Sequence, residues 1–167
     1  YPNEFNGKII KEDVVIKLLE NANYAPSHKM TQPWRFKIFC NNSKKKLLDE
    51  IIKNKKVSEN KKKKLENSFN RSSHIICICM KRNNDLLPEW EEIAATAMAV
   101  QNLWISCVDS NIGGYWSTPK YINKLRTFLK LNQDEICLGF FYLGIQDLKN
   151  LKTRRRDNIH EKIEWFR

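Results

Sequence analysis

The chain has 167 residues, carries a net charge of +11 and is 41% hydrophobic. A chain of that length buries roughly 70% of its extended surface on folding, enough for one domain with its own core. No stretch approaches the roughly 20 apolar residues of a membrane-spanning helix, and none has the form of a signal peptide.

Residues 11–23 read as an amphipathic helix, because Val15, Leu18, Leu19 and Ala22 recur at helical spacing. Glu12 and Asp13 fall in its first turn, where acids favour the helix dipole. Pro26 breaks the pattern, since proline disfavours α geometry in the residue before it. A loop to Pro33 leads into a strand over 34–40. Residues 44–54 form a short helix with Leu47, Leu48, Ile51 and Ile52 inward, and the charged stretch 55–70 is expected to be partly helical and exposed. The unbroken apolar run 74–80 predicts a central strand.

After a loop at 83–88, residues 89–111 read as the longest helix, with Ile93, Ala97, Val100, Trp104 and Val108 on its buried stripe. Gly113-Gly114 is expected to close that helix in a left-handed cap. Ser117 or Thr118 then caps a further helix, with Pro119 at its first position and Ile122, Leu125, Phe128 and Leu129 inward. Residues 135–143 are apolar on both faces and predict the sheet's central strand. Beyond Gly144 the chain turns basic and poorly patterned, as an arm over 144–167. Few strands and long helices give a three-layer α+β fold, taken as one domain over 1–167.

The five cysteines, at 40, 77, 79, 107 and 137, are odd in number and mostly set among apolar neighbours. They read as reduced thiols in a reducing, cytoplasmic compartment. Cys77 and Cys79 are expected on opposite strand faces, unable to grip one metal together. The positive charge sits in runs at 44–46, 53–56, 61–64 and 154–156. Such a balance raises nucleic acid as a partner, but the lysine runs lack the interleaved aromatics that stack on bases. Solvated helix faces fit them better.

There is no Walker loop, no dinucleotide fingerprint, no nucleophile elbow and no zincin motif, and the three histidines are far apart. Two loops stand out instead. Residues 24–34 crowd hydroxyl, imidazole, ammonium and amide groups between two prolines, a composition common in ligand-binding loops. Residues 112–119 combine two glycines, the flat face of Trp116 and the hydroxyls of Ser117 and Thr118, which suits a planar heteroaromatic ring with polar edges. The arginines at 154–156 present forks that match phosphate oxygens.

Together these segments resemble the nitroreductase family. Ala25-Pro26-Ser27 followed by Gln32-Pro33-Trp34-Arg35-Phe36 is similar to its first signature. The alanine-rich 94–102, Gly113-Gly114-Tyr115-Trp116 and Leu138-Gly139-Phe140-Phe141-Tyr142-Leu143-Gly144 resemble its later ones, in the same order. The likeness is greatest to the compact bacterial branch. It implies a nitroreductase-like fold, with a central, mainly antiparallel sheet flanked by helices, in a homodimer with an extended C-terminal arm. It implies FMN as cofactor, NADH or NADPH as hydride donor, and a nitroaromatic, quinone or similar small-molecule acceptor, in a ping-pong reaction. It implies no membrane partner, and nucleic acid is not expected. By position, Tyr24 and His28 match residues that reach the flavin from the partner subunit, and Ser27 and Gln32 belong to the same loop. Trp116, Ser117 and Thr118 match the loop beside the flavin ring. Arg154 matches the tail position near the phosphate, with Arg156 as the fallback. No metal site and no general acid or base is assigned. The family's opening Arg-Arg-Ser-type segment would precede Tyr1, and Met30 stands where many members have Tyr or Asn. Two alternatives stay open: a basic nucleic-acid-binding protein, and a flavin-fold binder without redox activity.

Overall fold

The computed structural model describes residues 1–54, 58–108, 110–147 and 155–166. Its centre is a four-stranded sheet of β1 (Trp34–Cys40), β2 (His74–Lys81), β3 (Ile112–Ser117) and β4 (Glu135–Ile145). The strand order is β1-β2-β4-β3, and every pair is antiparallel. The two central strands are the unbroken apolar runs, because both of their faces meet protein. Phe5 is fully buried and bridges Gln146, so the N-terminal segment extends the sheet beyond Ile145.

On one face lie α1 (Glu12–Ala22) and α4 (Glu89–Ile105). Val15, Leu18, Ala22, Ala99, Val100 and Leu103 pack there against Ile76, Ile78, Phe141 and Leu143. The other face carries α2 (Asn41–Asn54) and α3 (Glu59–Arg71). There Leu47, Ile51, Phe69 and Leu125 meet Ile75, Cys77, Phe140 and Tyr142. The result is the three-layer α+β architecture expected from the sequence. Among the described residues, no helix is long and apolar enough to cross a membrane.

Four local expectations are corrected. First, α4 stops at Ile105, where the Ser106 and Ser110 hydroxyls take up the Asn102 and Cys107 carbonyls. Its buried stripe is Glu92, Ala95, Thr96, Ala99, Val100 and Leu103, so Ile93, Trp104 and Val108 are exposed instead. Second, Gly113 and Gly114 lie in β3 and form no left-handed cap. Glycine is needed at 114 for close approach, since a Cβ there would sit 2.1 Å from Phe141 Cζ. Third, no α-helix follows Pro119: the segment runs as turns with one 3-10 turn at Ile122–Leu125. Leu125 and Leu129 are nonetheless buried as expected. Fourth, Cys77 and Cys79 share one face. Strand side chains alternate with period two, so residues two apart point the same way.

The start of β2 holds a pH-sensitive contact. Ser73 Oγ accepts the Ile10 N–H at 2.7 Å and lies 2.8 Å from His74 Nδ1. Burial lowers the His74 pKa, Lys44 lowers it further and Glu12 opposes both. The unfolded ring protonates near pH 6.5, whereas the folded ring does so only at lower pH. Stability from the neutral ring is therefore present above about 6.5 and drains away as pH falls toward the folded value. Denaturation midpoints at pH 7 and pH 5 check this: the wild type should fall more steeply than His74→Gln, and equal slopes would refute it.

Candidate functional site

The segment between α1 and β1 holds an unusual backbone. Lys29, Met30 and Gln32 have φ of 50°, 53° and 43°. Left-handed non-glycine residues cost about 1–3 kcal/mol each and persist where surroundings impose them. Here the Ser27 hydroxyl accepts the Gln32 N–H at 3.1 Å, Ser27 O accepts the Met30 N–H at 3.2 Å, and Arg35 Nη1 donates to Gln32 O at 2.9 Å. Trp34 Nε1 donates to Asn23 Oδ1 at 3.0 Å, closing the base of the loop. His28 Nδ1 lies 2.6 Å from Glu91 Oε2, tying the loop to the first turn of α4. Tyr24 projects outward at 84% exposure, and His28 and Gln32 are exposed as well. Thr31 and Gln32 border a cleft of about 550 Å3 beside α1, and Thr31 Oγ1 is buried there without a partner.

The second cluster is the end of β3. Trp116 packs on the α1/α4 face of the sheet, while Ser117 faces the opposite way into a cleft of about 680 Å3. Tyr115, Tyr121, Tyr142, Lys61 and Lys64 also line that cleft. Burial pushes the Tyr121 phenol up to about 12, so it stays protonated at neutral pH. Trp116 Nε1 is buried and has no acceptor, and Thr118 is exposed. That indole N–H is closed off against Gly139, and leaving it unpaired costs about 1–3 kcal/mol.

The structure thus brings Tyr24, Ser27, His28 and Gln32 together, and separately Trp116, Ser117 and Thr118. It does not bring the two groups together within one chain. By register Ser117 is level with Phe140, Cys77 and Lys37, the middle of β1, so the second group sits three ladder positions along the strands from the level of Trp34. They occupy opposite edges, about 14 Å apart across three strand spacings and further offset along the strands. Arg156 is exposed in the segment 155–166, and Arg154 lies outside the described residues. The left-handed residues at 29, 30 and 32 and the orphaned Trp116 N–H carried no signal in sequence, since both are properties of the packed backbone. Among the described residues, no cluster of three or more His, Cys, Asp or Glu could hold a metal.

The sheet thus carries a strained polar loop on one edge and an aromatic, hydroxyl-bearing strand end on the other. Comparison with known proteins places this arrangement in a family. The model of the Nitroreductase family matches residues 4–145, and the chain belongs to that family. It is 26% identical over 168 residues to the "Putative NAD(P)H nitroreductase YfhC" of Bacillus subtilis (strain 168), covering 96% of this chain and 86% of that protein. The crystal structure of a nitroreductase-like family protein from Bacillus cereus superposes with a TM-score of 0.85 at 25% identity, over 98% of this chain and 89% of that one. A nitroreductase-type protein from Desulfovibrio desulfuricans, solved in complex with FMN, shares the fold with a TM-score of 0.75 at 19% identity, over 99% and 91% of the two chains.

Proposed function

We propose that this protein is an FMN-dependent oxidoreductase working as a homodimer, with each flavin held between two copies. The observation that carries the reading is the split site. Two polar and aromatic clusters lie on opposite edges of the sheet, separated by two strands, and a second copy would complete each of them. Support for a second copy comes from apolar side chains left in solvent. Met98, Trp104, Ile105 and Val108 are exposed along and just beyond α4, as are Ile159, Ile163, Trp165 and Phe166 in the tail. Exposed large apolar side chains in such number suit an association surface. On this reading residues 1–167 are one domain and the chain beyond β4 is an arm across the partner, with Gly144 and Ile145, expected in that arm, belonging to β4 instead.

The residues present fit the flavin. Trp116 and Thr118 would meet the ring from the end of β3, with Ser117 turned to the opposite face of the strand. Ser27 and Gln32, with Tyr24 and His28 from the partner, would close the other side. Arg156, with Arg154, would meet the phosphate through charge-assisted forks. FMN held there would supply hydride-transfer chemistry between NADH or NADPH and a nitroaromatic, quinone or similar acceptor, in a ping-pong sequence. The protein's share is orientation: the His28–Glu91 contact fixes the loop, and the sheet fixes Trp116.

Titrating the purified protein with FMN, then with NADH or NADPH without oxygen, tests this directly. A bound-flavin spectrum that bleaches supports it; no uptake at excess FMN removes it. Trp116→Ala should weaken FMN retention about tenfold or more, on the order of 1.4 kcal/mol, through loss of a stacking face. Equal dissociation constants for variant and wild type would remove Trp116 from the site.

A further inference from the structure

We propose that Cys79 and Cys137 form a dithiol site oxidised by hydrogen peroxide to a cross-strand disulfide, with Cys137 as the attacking sulfur. Cys79 on β2 and Cys137 on β4 are direct register partners. Facing residues of antiparallel strands have Cα atoms about 4.5–5.5 Å apart, inside the range a disulfide spans. Both side chains lie on the α2/α3 face of the sheet, together with Cys77. The bulge next to them, where the register slips between Ile78 and Cys79, loosens the ladder at this pair. Cys77 is set opposite Phe140 and reaches Cys137 on the diagonal, so Cys79, the direct register partner, is the better placed of the two for a bridge.

Access and polarity separate the two sulfurs. Cys79 is fully buried. Cys137 is 6% exposed and borders a cleft of about 230 Å3 formed with Ile122, Asn123, Arg126, Leu131 and Ile136. That opening admits a molecule the size of peroxide. The neighbouring Cys77 and then Cys79 thiols draw the Cys137 thiol down to about 4, against the effect of burial, while its S–H donates to the Gly139 carbonyl at 3.6 Å. The contact with Cys137 and burial push Cys79 up, and Lys37 on the neighbouring strand favours a thiolate in the group. A thiolate at Cys137 is the nucleophile this chemistry needs.

The reaction balances without another reductant. The Cys137 thiolate attacks one peroxide oxygen, the O–O bond breaks, and hydroxide leaves, giving a sulfenic acid. The Cys79 sulfur then displaces the sulfenic oxygen, which departs as water with the thiol proton as the S–S bond forms. Two thiols and one peroxide become one disulfide and two waters, and the electron pair passes from sulfur to oxygen. The proposal does not rest on the flavin reading. It does bear on the same strand end, because Gly139 on the far side of the bulge lies against Ser117 and Trp116.

The test is peptide mapping of the intact protein after peroxide treatment, alkylation of the remaining thiols and digestion without reductant. The expected product is a single linkage joining Cys79 to Cys137, with free thiols in denaturant falling from five to three and restored by dithiothreitol. Cys77→Ser should still form it. Cys79→Ser should not, and should leave a Cys137 sulfenic acid that dimedone traps. Five free thiols after treatment, or a linkage through Cys77 or the more exposed Cys40, would overturn the proposal on the wild-type protein alone.

Discussion

Glu92→Ala should lose about 3–5 kcal/mol of folding stability, a substantial part of what a domain of this size possesses. Glu92 is fully buried in the first turns of α4, an environment in which carboxylates are rare without partners. Its carboxylate accepts Arg82 Nη1 at 2.5 Å, the Asn83 N–H at 3.1 Å and Asn83 Nδ2 at 2.9 Å. Arg82 is itself only 15% exposed in its side chain. Truncating Glu92 leaves a guanidinium, a backbone N–H and an amide without their acceptor in a site water barely reaches. The penalty comes from those abandoned donors more than from the ion pair itself, which sets it apart from a surface salt bridge. At roughly 2–4 °C per kcal/mol, the melting temperature should fall by about 6–20 °C. The Glu92→Ala/Arg82→Ala double variant should cost less than the sum of the two single changes, because the pair is lost once. A loss below about 1 kcal/mol in chemical denaturation would show that the cluster relaxes or takes up water. The neighbouring Glu91 holds His28, so loosening this turn should also release the loop at residues 24–34.

What the sequence revealed, and what it withheld, follows from how many physical demands each segment meets. The strand over 34–40 appears with the expected bounds, and the runs at 74–80 and 135–143 are central strands, because burial on both faces leaves an apolar mark in the residues themselves. α1 is polar on one side only, so its period selects one face. α4 differs: Ile93, Met98, Trp104 and Ile105 make its outer side as apolar as its inner one. Periodicity then admits two stripes, and the choice falls to the partners of Glu92 and the close approach of α1. The two clusters of the candidate site were readable as segments rich in polar and aromatic groups. Their separation across the sheet was not, because strand order is a property of long-range pairing. Gly113-Gly114 was misread for a related reason. Glycine serves both left-handed turns and close packing, and only the Phe141 ring on β4 decides between them.

Gly139→Ala should combine strain and collision where the fold meets the candidate site. Gly139 has φ of +151°, and its register position opposite Ile78 precedes the slip that leaves Leu138 unpaired. A Cβ there would sit 2.4 Å from the Ser117 carbonyl oxygen and 2.8 Å from Trp116 Nε1. The first obstacle is backbone and cannot rotate away. Conformational strain of about 1–3 kcal/mol adds to overpacking of about 1–3 kcal/mol, so a loss of roughly 2–6 kcal/mol is expected. Gly7→Ala supplies the contrast. Gly7 also has a positive φ, of 80°, but its added Cβ would meet only Asn70 O at 3.6 Å. That variant should bear the left-handed penalty alone, about 1–2 kcal/mol. The difference between the two variants in chemical denaturation isolates the collision with β3. Relief of that collision must move β3 away from β4, which carries Trp116 and Ser117 off their positions. FMN affinity should therefore fall in Gly139→Ala and stay unchanged in Gly7→Ala. If both variants lose equal stability and bind flavin alike, the bulge in β4 does not position the end of β3, and Trp116 is held by the α1/α4 face instead.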